Sequence, residues 1–188
     1  MPISRIPGVG LETTGTASVN TFLRGDNAWA GTITSGTAVA STSGTSIDFT
    51  GIPATAKRIT VMFNGVSTNG TSLLIVQLGS GSVTTSGYSS SGSTNGATIG
   101  NITTGLLVNG RGNAPSARIG NLIISNITGN TWVMSGVTGA NDATTPNYDT
   151  WSVYGSIVLS GTLDRVRVTT VNGTDTFDAG TINIMWES

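Results

Sequence analysis

The sequence predicts an all-β protein: an antiparallel, jelly-roll-like β-sandwich with an extended N-terminal arm. Charged residues make up only 9% of the 188 residues, against roughly 25% in ordinary soluble domains. From Gly31 onward, short apolar runs alternate with clusters of Gly, Asn and Ser at the spacing of sandwich strands and turns. No segment combines a helical apolar stripe with plausible caps. The sandwich follows from these three observations.

The composition also predicts an unusual surface. The chain has 27 Gly, its only glutamates are Glu12 and Glu187, and Lys57 is its only lysine. Hydroxyl and amide side chains must therefore cover the surface, as Thr does on strands and Ser and Asn do in turns. Intrinsic disorder is not expected, because 37% of the residues are hydrophobic and they are gathered into short runs.

Several function classes do not fit the composition. The net charge is −1 and no basic stripe occurs, so nucleic-acid binding is not expected. The chain has no cysteine and no histidine, and its nine acidic residues show no motif spacing. We therefore predict no enzyme activity, no cofactor and no metal site. Without an apolar signal core or a long apolar run, we expect synthesis in the cytoplasm and no membrane insertion.

Residues 1–31 differ from the rest of the chain. Prolines and glycines from Pro2 to Gly15 argue against a regular element, and the apolar residues are scattered among them. We predict that residues 1–31 form an extended arm that becomes ordered against another surface, and that residues 32–188 form the β-sandwich head. A merely flexible terminus is the alternative interpretation.

Alternation of apolar and polar residues predicts the strands of the head. In residues 57–63, Ile59, Val61 and Phe63 share one face. Residues 72–78 are apolar on both faces, which indicates a strand buried between two layers. Asn-Gly pairs mark turns between strands. Further strands are predicted at residues 119–127, 131–137, 151–159, 163–171 and 181–186.

Two long loops are predicted, at residues 79–96 and 138–150, and long loops on a rigid sandwich commonly carry recognition. Tyrosine in a polar loop can stack and also form hydrogen bonds. The candidate receptor-binding residues are therefore Tyr88, Tyr148, Asp142 and Asp149. The two aspartates supply too few oxygens for a calcium cage.

The tryptophans and one acidic residue have predicted structural roles. Trp132, Trp151 and Trp186 lie in apolar strand patterns and are predicted in the core or an interface. Trp29 ends the arm, where it can dock on the head or on a neighbouring subunit. Asp164 beside Arg165 is predicted to form an ion pair at a strand edge.

The segment from Asn20 to Ala30 resembles a short stretch of tailed-bacteriophage tail-fibre proteins. That stretch reads roughly N-T-[FY]-L-R-G-D-G-x-W and precedes a globular tip domain; here Asn27 stands where Gly is usual. Residues 45–72, 163–168 and 173–186 are similar to a domain of phage and prophage tail proteins. The resemblance spans most of residues 20–188. Arg24-Gly25-Asp26 has the sequence of the integrin-binding tripeptide. The resemblance to the tail-fibre segment explains these three residues better than integrin binding does.

The resemblance implies a virion protein made in the host cytoplasm, usually a homotrimer. Its arm attaches to other virion proteins of the tail, baseplate or capsid, and its head contacts a host-surface glycan or protein. The implied attachment residues are Ile3, Ile6, Val9, Leu11, Phe22, Leu23, Arg24, Asp26 and Trp29. Because the arm is brief for a tail fibre, a head fibre or capsid-decorating protein is the alternative. A bacterial carbohydrate-binding module is a third class that fits the composition.

Overall fold

The computed structural model describes residues 21–23, 29–31, 33–142 and 147–188. The regular elements of these residues are all β-strands, so the predicted all-β class is confirmed. Contacts divide the chain into two compact units, residues 1–34 and residues 35–188.

The first unit contains a short antiparallel strand pair. Strand β1 (Thr21–Leu23) pairs with β2 (Trp29–Gly31), and Leu23 lies opposite Trp29. The prediction that the first 31 residues hold no regular element is therefore wrong. The prolines and glycines on which that prediction was based lie between Pro2 and Gly15, whereas β1 consists of strand-favouring residues. Six predicted attachment residues lie outside the described residues: Ile3, Ile6, Val9, Leu11, Arg24 and Asp26.

Fourteen further strands follow. Those up to residue 107 are β3 (Ile33–Ser35), β4 (Val39–Ala40), β5 (Ser46–Thr50), β6 (Arg58–Thr68), β7 (Leu74–Ser80), β8 (Ser82–Val83), β9 (Ser89–Thr94), β10 (Ala97–Ile102) and β11 (Leu106–Leu107). The remaining strands are β12 (Ser116–Thr128), β13 (Thr131–Asp142), β14 (Asn147–Val158), β15 (Arg165–Thr170) and β16 (Phe177–Glu187).

The strands form two antiparallel sheets that enclose one hydrophobic core. The nine-stranded sheet has the order β10-β9-β14-β13-β12-β6-β16-β3, and β4 also pairs with β16. The five-stranded sheet has the order β11-β7-β15-β5, and β8 pairs with β7. The predicted β-sandwich is confirmed. Within the larger sheet, β12, β13 and β14 form a meander of long strands.

Strand periodicity accounts for the core. In β6, Ile59, Val61 and Phe63 are buried and the residues between them are more exposed, as predicted. Strand β7 is buried along its length through Gly79, which also agrees with the prediction. Its Ile75 is covered by the chain at Gly105, where an added Cβ would lie 2.7 Å from Ile75 Cδ1.

The two predicted long loops are wrong. Residues 79–96 contain β8 and β9, and residues 138–150 contain the end of β13 and the start of β14. In β9, Ser90 Oγ accepts a hydrogen bond from Leu107 N at 2.9 Å and donates one to Tyr154 O at 2.9 Å. A Cβ on Gly92 would lie 2.8 Å from Val153 Cγ1. Small residues that usually mark turns are therefore required here by close packing within the sandwich.

Candidate recognition surface

Tyr88 is a buried structural residue. Its side chain is 3% exposed, and its hydroxyl accepts a hydrogen bond from Leu78 N at 2.8 Å. The same hydroxyl lies 2.9 Å from Thr84 O and 3.2 Å from Leu78 O, either of which can accept its proton. Burial raises the pKa of Tyr88 to about 12. The expectation that Tyr88 lies in an open loop and contacts a receptor is wrong, because its hydroxyl instead ties the chain at Thr84 to β7.

The end of the β13–β14 hairpin carries the other candidates. Tyr148 is 70% exposed and lies opposite Asn141. The next residue, Asp149, forms an ion pair with Arg111, with Nη1 and Oδ2 3.0 Å apart. Asp142 is the last residue of β13, and its side chain lies outside the described part of the chain. Tyr148 is thus the candidate whose side chain is exposed to solvent. The carboxylate of Asp149 instead forms an ion pair that joins β14 to the segment at Arg111.

A buried arginine that the sequence did not single out fixes the neighbouring segment. Arg118 is 1% exposed, and its guanidinium donates to the carbonyl oxygens of Ser116 (2.8 Å), Asn113 (3.5 Å) and Arg111. Burial, and secondarily the charge of Arg111, lowers the pKa of Arg118 to about 10, so the group stays protonated at neutral pH. This charge holds the chain from residue 111 to residue 116 in one conformation.

A second buried polar group joins that segment to β13. Asn109 is fully buried, and its Nδ2 donates to Thr138 Oγ1 at 3.1 Å. Thr138 Oγ1 donates to Val108 O at 2.6 Å, and Arg111 N donates to Asn109 Oδ1 at 2.9 Å. Together with the Arg111–Asp149 pair, these bonds support the hairpin end from one side. Tyr148 is therefore presented on a rigid, preorganised element.

The solvent-facing side of β6, β12, β13, β14 and β16 forms a broad surface, here called the outer face, on which most side chains are uncharged. In one row across the sheet Ile123 lies opposite Ser135, which lies opposite Tyr154. In the next row Asn121, Val137 and Ser152 are paired in the same way. Its large exposed hydrophobic residues include Ile119 (48%), Ile123 (40%), Val137 (56%) and Tyr154 (61%), and Tyr148 and Val158 lie on the same side of β14.

Two charged residues, Arg58 and Glu187, lie at the rim of the outer face. Arg58 on β6 is paired in register with Ser125 on one side and with Glu187 on the other. Its guanidinium binds the Glu187 carboxylate through two hydrogen bonds, each 2.7 Å long. The rows of Ile123 and Val137 across β12, β13 and β14 contain only apolar, hydroxyl and amide side chains. The centre of the face therefore mixes apolar and uncharged polar side chains, and the Arg58–Glu187 ion pair lies at its edge.

The tryptophan predictions agree with the structure where side chains are described. Trp132 and Trp151 are each 4% exposed and belong to the core. Trp186 is partly buried against the core and lines a groove between β5 and β16 together with Phe49 and Asp48. Trp29 lies in β2, for which the structure gives the backbone alone.

Ionisable residues elsewhere pair locally. Asp164 and Arg165 form the predicted ion pair, with 2.7 Å between Oδ1 and Nε. Within residues 33–142 and 147–188, acidic residues do not gather in threes in a way that could hold a metal ion. In the described part of the chain there is no helix of the length and hydropathy needed to cross a membrane.

Comparison of the chain with protein-family models, with curated proteins and with solved structures gives no match.

Proposed function

We propose that this chain is a non-enzymatic structural protein of a tailed-bacteriophage virion, a short fibre or fibre tip that contributes to host-surface attachment. The observation that carries the proposal is the fibre-like segment from Asn20 to Ala30, followed in the chain by a rigid β-sandwich. The protein would be made in the host cytoplasm and assembled onto the particle through its arm, with Phe22, Leu23 and Trp29 among the attachment residues.

The structural feature that supports host attachment is the hairpin end around Tyr148. Its exposed ring offers an apolar face, and its hydroxyl can donate and accept hydrogen bonds to a glycan or a protein. The Arg111–Asp149 pair and the Asn109–Thr138 bonds hold the strands beneath it. A rigid support lowers the ordering cost of binding.

Competition for host cells tests this function. Purified wild-type protein should bind host cells and block adsorption of the virus. Tyr148→Ala should weaken that binding by at least about tenfold, the effect of losing a central aromatic contact. Val171→Ala, which alters an exposed residue outside the hairpin, is the control and should bind as wild type does. Wild-type protein that neither binds cells nor blocks adsorption would contradict the proposed attachment role.

A capsid-decorating or head-fibre protein is the second candidate. It is favoured by the strand pair β1–β2 within residues 1–31, which gives this segment a structured element that could bind the capsid. Added protein should then protect empty capsids against heat. Deleting residues 1–31 should abolish that protection. Protection by the truncated protein would reject the arm as the gripping element.

A further inference from the structure

We infer that the outer face of the nine-stranded sheet is the surface through which two copies of this chain associate. We base this inference on the exposure, charge and dimensions of that face. Tyr148 lies at the hairpin end of the same face, so a dimer that covers the whole face would compete with host attachment through Tyr148.

The exposed apolar residues form one continuous patch. Ile123 and Val137 lie on adjacent strands in neighbouring rows, and Tyr154 follows on the third strand. Met62 and Met185, on the other side of β12, are partly exposed and extend the patch. Contiguous exposed apolar patches commonly mark sites of protein–protein interaction. We take this patch as the centre of the inferred interface.

The charge distribution suits a second copy as the occupant. Two such faces can meet without burying an unpaired charge, which would cost several kcal/mol. The Arg58–Glu187 pair is already neutralised within the chain and lies toward the edge of the patch. An apolar centre with a polar rim is the usual anatomy of a specific interface.

The dimensions of the face are sufficient for a dimer contact. Five neighbouring strands span about 19 Å, and the ten residue-to-residue steps from Tyr148 to Val158 span about 33 Å. One copy thus offers about 600 Å², or about 1,200 Å² for two copies, the lower bound of specific interfaces. The face is a pleated surface formed by paired antiparallel strands. A second sheet packs on such a surface at about 10 Å.

Light scattering on two matched variants tests the inference. Wild-type protein should have at least twice the mass of the 19.0 kDa chain. Val137→Asp places a charge at the centre of the face and should reduce the mass to that of one chain. Val171→Asp is the same substitution at an exposed valine away from the face and should leave the mass unchanged. A wild-type monomer at every concentration, or equal dissociation by both variants, would overturn the inference.

Cysteine labelling covers the case in which Val137→Asp fails to fold. The chain has no cysteine, so Ser135→Cys introduces a single thiol in the face, and Ser43→Cys introduces one at an exposed site outside it. Reaction of the Ser135→Cys thiol with a maleimide should slow as protein concentration rises, while the Ser43→Cys thiol should react at a constant rate. Equal, concentration-independent rates would exclude the face as an interface. None of these readouts depends on host binding.

Discussion

At the scale of single residues, buried hydrogen bonds at Tyr88 stabilise the fold. Tyr88→Phe keeps the ring but leaves Leu78 N without its acceptor. We expect the free energy of unfolding to fall by about 1–3 kcal/mol, the cost of a buried unsatisfied polar group. Urea unfolding at neutral pH measures it. Tyr148→Phe, at an exposed tyrosine, should change stability by no more than about 0.5 kcal/mol. Equal effects of the two substitutions would contradict the assigned role.

The raised pKa of Tyr88 also predicts a dependence of stability on pH. The folded pKa of about 12 lies above the ordinary value of 10.0, so folding favours the protonated phenol. This contribution is complete below pH 10 and is lost as the pH rises toward 12. Across that interval, wild-type protein should lose up to about 2 kcal/mol more than Tyr88→Phe. The lowered pKa of Arg118 acts in both proteins and cancels in the difference. Parallel pH profiles would show that Tyr88 does not titrate in this way.

Arg118 is expected to be the most sensitive charged residue. Arg118→Met removes the donor of three hydrogen bonds to carbonyl oxygens, one buried and two partly buried, and should lower the free energy of unfolding by about 3 kcal/mol. Arg167→Met breaks the exposed pair with Asp48 and should cost no more than about 1 kcal/mol. Thermal or urea unfolding of both variants shows which substitution lowers the free energy of unfolding more. A larger loss from Arg167→Met would show that the Arg118 bonds are not structural.

At the scale of elements, close packing between a glycine and a tryptophan fixes how the segment after β11 crosses β14. An added Cβ on Gly110 would lie 2.2 Å from the Trp151 ring. Gly110→Ala should therefore destabilise the protein by about 1–3 kcal/mol and change the near-ultraviolet signal of tryptophan. Gly139→Ala is the control, because its nearest neighbour would be 3.8 Å away. A silent Gly110→Ala would mean that this segment can move away from Trp151.

The elements also show how far sequence reasoning reaches. Strands with an alternating apolar pattern, such as β6 and β16, were predictable because burial of one face leaves a period of two in the sequence. Strand β9 was not, since the need for Ser90 and Gly92 comes from neighbours distant in the chain. For the same reason Tyr88 looked like a loop residue. The polar residues around Tyr148 in the sequence predict its exposure. The burial of Arg118 and Asn109 is not predictable in this way, because no pattern in the neighbouring sequence marks them as buried.

At the scale of the whole molecule, the two proposed functions use neighbouring parts of one side of the nine-stranded sheet. The hairpin end carries an exposed tyrosine on a rigid polar support, which suits recognition of a host molecule. The outer face is broad, mixes apolar with hydroxyl and amide side chains, and holds the Arg58–Glu187 pair toward its edge, which suits a second copy of the chain. The outer face could be recognised only after strand register was known, because its residues come from five strands.

The most direct test of the proposed virion role is to locate the protein on intact particles by electron microscopy with a labelled antibody. We expect label on the particle, at the tail or its fibres. Label over the head would instead support capsid decoration, with residues 1–31 as the functional segment. Purified particles that carry no label and lack the protein by mass spectrometry would rule out a virion role.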